Sequence, residues 1–74
     1  MTPAQLRAAC AILQITATDI SNVVDLAPIT IREIMSGKRK GKPKTLAKLQ
    51  STLEECGIVF LGDEGVAYQA PQQP

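Results

Sequence analysis

The sequence predicts a small, mainly α-helical domain: four helices with a helix-turn-helix at the centre, and a short β-strand or β-hairpin at the C-terminal end. Three observations carry that expectation. Between Thr16 and Gly37, Ile20, Val23 and Val24 follow the i, i+3, i+4 rhythm of one helix face, and Ile31 and Ile34 keep the same rhythm in a second helix. The link between them, Asp25-Leu26-Ala27-Pro28, is long enough only for a tight corner, so the two helices share one apolar seam at a sharp angle. Further on, Ile58-Val59-Phe60-Leu61 is a short apolar run between Gly57 and Gly62, and its β-branched and aromatic character favours a strand.

The first helix opens at Thr2-Pro3, a capping hydroxyl followed by Pro at the first helical position. Leu6, Ala9, Cys10 and Leu13 then form one stripe at i, i+3, i+4, i+7. Gln14-Ile15 is a short link. The second helix runs from about Ala17 to Val24 under a Thr16 cap, and Asp25 suits the left-handed corner that follows. The third runs from about Pro28 to Ser36, with Ile31, Ile34 and Ala27 on its core side, and stops at Gly37. Lys38 to Lys44 (KRKGKPK) is a loop, because Gly and Pro interrupt helix and five like charges cannot pack inside. The fourth helix begins at Lys44 or Thr45 and ends at Cys56, burying Leu46, Leu49, Leu53 and Cys56. Gly62 to Gly65 reads as a turn and Val66-Ala67-Tyr68 as a second short strand. The expected organisation is a helical unit over 1–57, a hairpin over 58–68 and a polar, Pro-rich, disordered tail over 69–74.

Composition narrows the function classes. The chain has 74 residues, 45% hydrophobic and 20% charged, which suits one soluble domain with a limited core. No apolar run approaches the ~20 residues of a membrane span, and no leader pattern suggests export, so a cytoplasmic protein with no membrane partner is expected. Two cysteines make no disulfide framework, and with no His they make no protein-only zinc site. Cys10 and Cys56 read as small buried hydrophobes, with redox sensing as the alternative. No residue set suggests catalysis: the serines have no base beside them, and GKRKGKPK lacks the spacing of a phosphate-binding P-loop. No cofactor is expected.

Net charge is only +1, yet the molecule is polarised. Arg32, Lys38, Arg39, Lys40, Lys42, Lys44 and Lys48 stand against Glu33 alone, a local +6, while the rest of the chain carries −5. The local figure governs binding, because salt screens charges beyond about 8–10 Å.

These residues resemble the Cro-type (Xre-like, lambda-repressor-like) helix-turn-helix regulators of bacteria, phages and mobile elements. The resemblance rests on Thr16 capping the second helix, Asp25-Leu26 at the corner, Thr30-Ile31-Arg32-Glu33-Ile34 in the third helix and Gly37 at its end, and it covers roughly Thr2 to Phe60. The chain departs from the family at Asp25 (usually Gly), at Ala27 (usually a capping Ser or Thr) and at Ala17 (often a Gln that touches phosphate). The resemblance implies base reading by Pro28, Ile29, Thr30, Arg32 and Glu33, the first turn of the third helix and positions one turn on.

The residue chemistry is compatible with that role. Ile29 suits a thymine methyl, Glu33 an amino group such as cytosine N4, and Arg32 a guanine or a phosphate. Arg32 and Glu33 also read simply as a surface ion pair. Phosphates would be held by Lys38, Arg39, Lys40, Lys42 and Lys44, by Thr16, and by the amide-rich start of the second helix at Ala17. An open hairpin edge invites pairing, so Ile58, Val59, Phe60, Leu61, Val66 and Tyr68 are expected at a homodimer interface; the alternative folds the hairpin back on its own helices. The leading expectation is a dimeric, sequence-specific regulator on an inverted-repeat operator, with double-stranded DNA and its own second copy as partners, and RNA polymerase or a cognate regulatory protein as further candidates. The competing expectation is a protein-interaction module, an antitoxin or anti-activator on the same fold.

Overall fold

The computed structural model describes residues 1–70; residues 71–74, most of the expected tail, lie outside the described residues. The order is α1 (Pro3–Leu13), α2 (Ala17–Val24), α3 (Pro28–Ser36), α4 (Pro43–Glu55), β1 (Ile58–Leu61) and β2 (Gly65–Tyr68). This is the mainly α architecture with a C-terminal hairpin that the sequence predicts. No helix among the described residues is long and apolar enough to cross a membrane.

Local chemistry sets each boundary. Thr2 and Gln5 form a reciprocal capping box at α1, and Thr16 and Asp19 form a second at α2. Gln14 and Asp25 end these helices in left-handed conformations, φ 56° and 59°; a short polar side chain makes Asp25 tolerable there. Gly37 ends α3 at φ 82°. α3 and α4 start without any side-chain cap, at Ala27 and Lys42, each followed by Pro at the first helical position. α4 therefore begins one residue earlier than expected, because Pro43 lacks only an N–H that a helix start leaves unpaired anyway.

The core collects Leu6, Ala9 and Cys10 from α1, Ala17, Ile20 and Val24 from α2, Ile31 and Ile34 from α3, Leu49 and Leu53 from α4, and Ile58 from β1. Three expectations need correction. Val23 is 65% exposed, because the buried stripe of α2 runs Ala17, Ile20, Ser21, Val24 and leaves Val23 outside it. Ser21 sits in that stripe because its hydroxyl donates to the Thr18 carbonyl at 2.7 Å. Ala27 is exposed; at ψ 142° it lies outside the helix, so helical phase does not govern it. Cys56 is exposed at the C-cap of α4, whereas Cys10 is buried. Burial pushes the Cys10 thiol up, away from the reactive thiolate. In the folded protein, alkylation is expected to modify Cys56 alone, with Cys10 reacting only after unfolding; mass spectrometry of native and denatured samples checks this.

The hairpin is part of the same globule, not a separate element. β1 and β2 pair antiparallel with Ile58 opposite Tyr68, Val59 opposite Ala67, Phe60 opposite Val66 and Leu61 opposite Gly65. Phe60 and Val66 pack against the core beside the buried Ile58. Gln5, only 1% exposed, fastens the turn: its Nε2 donates to the Gly62 carbonyl at 2.8 Å and the Gly65 carbonyl at 3.0 Å. Its Oε1 accepts from the Thr2 amide at 3.0 Å, and the Thr2 hydroxyl donates to the Asp63 carbonyl at 2.8 Å. The Gln69 amide, first of the expected tail, donates to the Gly57 carbonyl at 2.7 Å, so order extends past Tyr68. Gln5→Ala is expected to cost about 1–3 kcal/mol, the scale of stranding buried polar partners, read as a lower urea midpoint with an unchanged slope.

Candidate nucleic-acid interface

The outward arc of α3 is built by the same periodicity that buries Ile31 and Ile34. Ile29, two positions before Ile31, is 59% exposed, and Arg32 and Ser36 are exposed with it. Pro28, Thr30 and Glu33 are half-buried. The five expected base readers thus divide. Ile29 and Arg32 point to solvent, and Pro28 flanks them. Thr30 turns toward the basic loop, lining a concavity of about 310 Å³ with Leu26, Arg39, Lys42 and Thr45.

Glu33 has a partner that sequence reading did not foresee. Its Oε1 accepts from Arg39 Nη2 at 2.9 Å and from Arg39 Nε at 3.2 Å. The expected surface pair with Arg32 is replaced by this one, because the loop doubles back after Gly37: the Arg39 amide donates to the Glu33 carbonyl at 3.2 Å. One expected base reader and one expected phosphate ligand are therefore bonded to each other. The far end of α3 is fixed to α1, where the Arg7 guanidinium donates to the Met35 carbonyl, a cation at a helix C-terminus.

The start of α2 is one candidate anion site. Thr16 is exposed; its Oγ1 accepts from the Asp19 amide at 3.1 Å and keeps its own proton to donate. The Ala17 methyl is buried, so Ala17 can offer an anion only its main-chain amide, one of those a helix start leaves unpaired. Asp19 accepts from the Thr16 amide at 2.9 Å and adds a negative charge there, so the start of α2 is the weaker anion site.

The loop after α3 and the start of α4, which share a concavity with Thr30, are richer in cations. Lys38, Arg39, Lys40, Lys42 and Lys44 are all exposed along the loop and the first turn of α4. Thr45 and Lys48 join them, lining a groove of about 250 Å³ with Val24, Leu26, Lys42 and Lys44. Neither was among the expected ligands. The signal was present: Pro43 marks the helix start, which puts Lys44 and Lys48 at i, i+4 on one face. Two like charges at that spacing destabilise a helix slightly, so an anionic partner would relieve a cost the fold carries.

The residues expected at a dimer interface also divide. Ile58 is 2% exposed in its own chain and has no surface left for a partner, while Phe60 and Val66 are half-buried against the core. Side chains alternate along a strand, which leaves Val59 and Leu61 on the outer face opposite the small residues Ala67 and Gly65, with Tyr68 exposed at the hairpin's end. That face is apolar. No family model matches the chain, and comparison with curated proteins and with solved structures found no match.

Proposed function

We propose that this chain is a sequence-specific double-stranded DNA-binding transcriptional regulator of the Cro type, acting as a homodimer on an inverted-repeat operator with α3 in the major groove. One observation carries the reading. The exposed residues of a short helix, Ile29 and Arg32, belong to the same helix as Thr30, which shares a concavity with Arg39, Lys42 and Thr45 of the cationic loop and the start of α4. A base-reading helix beside a phosphate-holding element is the arrangement that groove entry requires. Arg32 and Ile29 read base edges; Lys38, Lys40, Lys42, Lys44, Thr45 and Lys48 hold backbone, as do Thr16 and the Ala17 amide. Occupying a promoter is the simplest mode of control for such a protein.

Selection from randomised duplexes with the whole chain, followed by footprinting, tests the proposal. The expected product is an inverted repeat whose half-site centres lie about one helical turn, ~10 bp, apart. Log affinity should fall against log salt with a slope of about −0.9 per phosphate held. Arg32→Ala should relax preference at one base pair by about 1–3 kcal/mol. No enrichment, together with no retardation of any duplex at low salt, overturns the reading and favours the protein-interaction alternative, for which the exposed apolar side chains of Val59 and Leu61 are the specific support.

A further inference from the structure

The pairing of Glu33 with Arg39 places an anion inside the cationic loop, on the one element proposed to enter a groove. Main-chain contacts set this position as well as side chains do. The Glu33 carbonyl accepts from the Arg39 amide at 3.2 Å and from the Ser36 hydroxyl at 3.1 Å, and the Lys38 amide donates to the Ser36 hydroxyl at 3.5 Å. Two N–H groups of Arg39 converge on a single oxygen, Oε1, and both side chains remain partly exposed.

We propose that Glu33 is a specificity-determining residue that competes with DNA phosphate for Arg39, making that phosphate contact conditional on the base pair beneath Glu33. The inference rests on the DNA-binding reading above. On an arbitrary duplex, a phosphate that captures Arg39 displaces the carboxylate. The displaced carboxylate then faces a negatively charged groove with no compensating partner, so the exchange gains little. Where the groove presents an amino donor such as cytosine N4, the carboxylate has a new partner, and Arg39 is released to the backbone at no loss. An exposed pair is weak in water, so this exchange is ready and reversible. The effect falls on arbitrary sequences: Glu33 suppresses unspecific binding more than it adds to specific binding.

The test is a double-substitution cycle with Glu33→Gln, Arg39→Ala and both together, measured on a duplex of arbitrary sequence over a range of salt. Glu33→Gln is expected to bind that duplex several-fold more tightly, with a log–log salt slope steeper by about 0.9, the signature of one additional phosphate contact. In the Arg39→Ala background the same substitution should leave the slope unchanged. Removing a negative charge would by itself raise affinity equally in both backgrounds, so equal shifts overturn the proposal, as does an unchanged slope in Glu33→Gln alone. If the wild-type chain retains no duplex at low salt, the DNA reading fails by itself. Elution from heparin then still decides whether Glu33 withholds Arg39 from anions: later elution of Glu33→Gln only when Arg39 is present supports the competition, and the same delay with or without Arg39 overturns it.

Discussion

Replacing Ile31 by Ala is expected to remove about 2–5 kcal/mol of stability, the range for truncating a fully buried aliphatic side chain. Ile31 has no exposed surface and belongs to the core shared by all four helices and β1. Small domains hold a folding free energy of only about 5–15 kcal/mol, so a loss of this size removes a large share of it. The paired experiment is Ile29→Ala, two residues earlier on the same helix. Ile29 is largely solvent-exposed, and its truncation should change stability by no more than about 0.5 kcal/mol while weakening selection at a thymine-containing position. Denaturant unfolding and selected-site binding, run on both variants, measure the sorting of α3 into a structural face and a reading face. Equal stability losses in the two variants would show that α3 has no free face, and the proposed groove-entry mode would go with it.

The second large effect is expected at Leu61. Leu61→Asp should leave the fold intact, since the side chain is 54% exposed, yet it places a charge, and by symmetry a pair of like charges, in the apolar hairpin face where the sequence leads one to expect two copies to meet. Sedimentation should report a monomer, and operator affinity should fall by about 10²–10⁴-fold as the second half-site stops being held at high effective concentration. Val59 on the same surface should give a smaller loss. Deleting the hairpin is the wrong experiment, because Ile58, Phe60 and Val66 pack into or against the core and Gln5 fastens the turn. A truncated chain would lose its fold together with any dimer. A wild-type chain that sediments as a monomer at all concentrations would remove the dimer from the proposed mechanism and leave the single-site reading of α3 to be judged alone.

Glu33 ties these expectations together. Its placement against Arg39 means that substituting it alters two proposed contacts at once, one to a base and one to a phosphate. Binding measured at one salt concentration would mix the two effects. The salt slope separates them, because only the phosphate contact releases counterions.

The sequence by itself determined the elements and most of the interior. Caps at Thr2 and Thr16, stops at Asp25 and Gly37, and helical spacing through Leu6, Ile20, Ile31 and Leu49 are short-range properties, written within one or two turns of chain. The local concentration of cations from Arg32 to Lys48 was equally legible, because charge is a property of residue type. Tertiary structure alone decided which apolar residues were surplus and which ions met. Val23 looked internal until the stripe containing Ser21 claimed the buried side of α2, and Ile58 looked available to a partner until the hairpin folded against α1 and α4. The Glu33–Arg39 pair, the Gln5 clamp on residues about 60 positions away and the groove joining Val24 to Lys48 all depend on where the chain returns after a turn. Periodicity fixes the face a residue occupies on its own helix. What that face meets is set by the packing of distant segments, and local spacing carries no information about it.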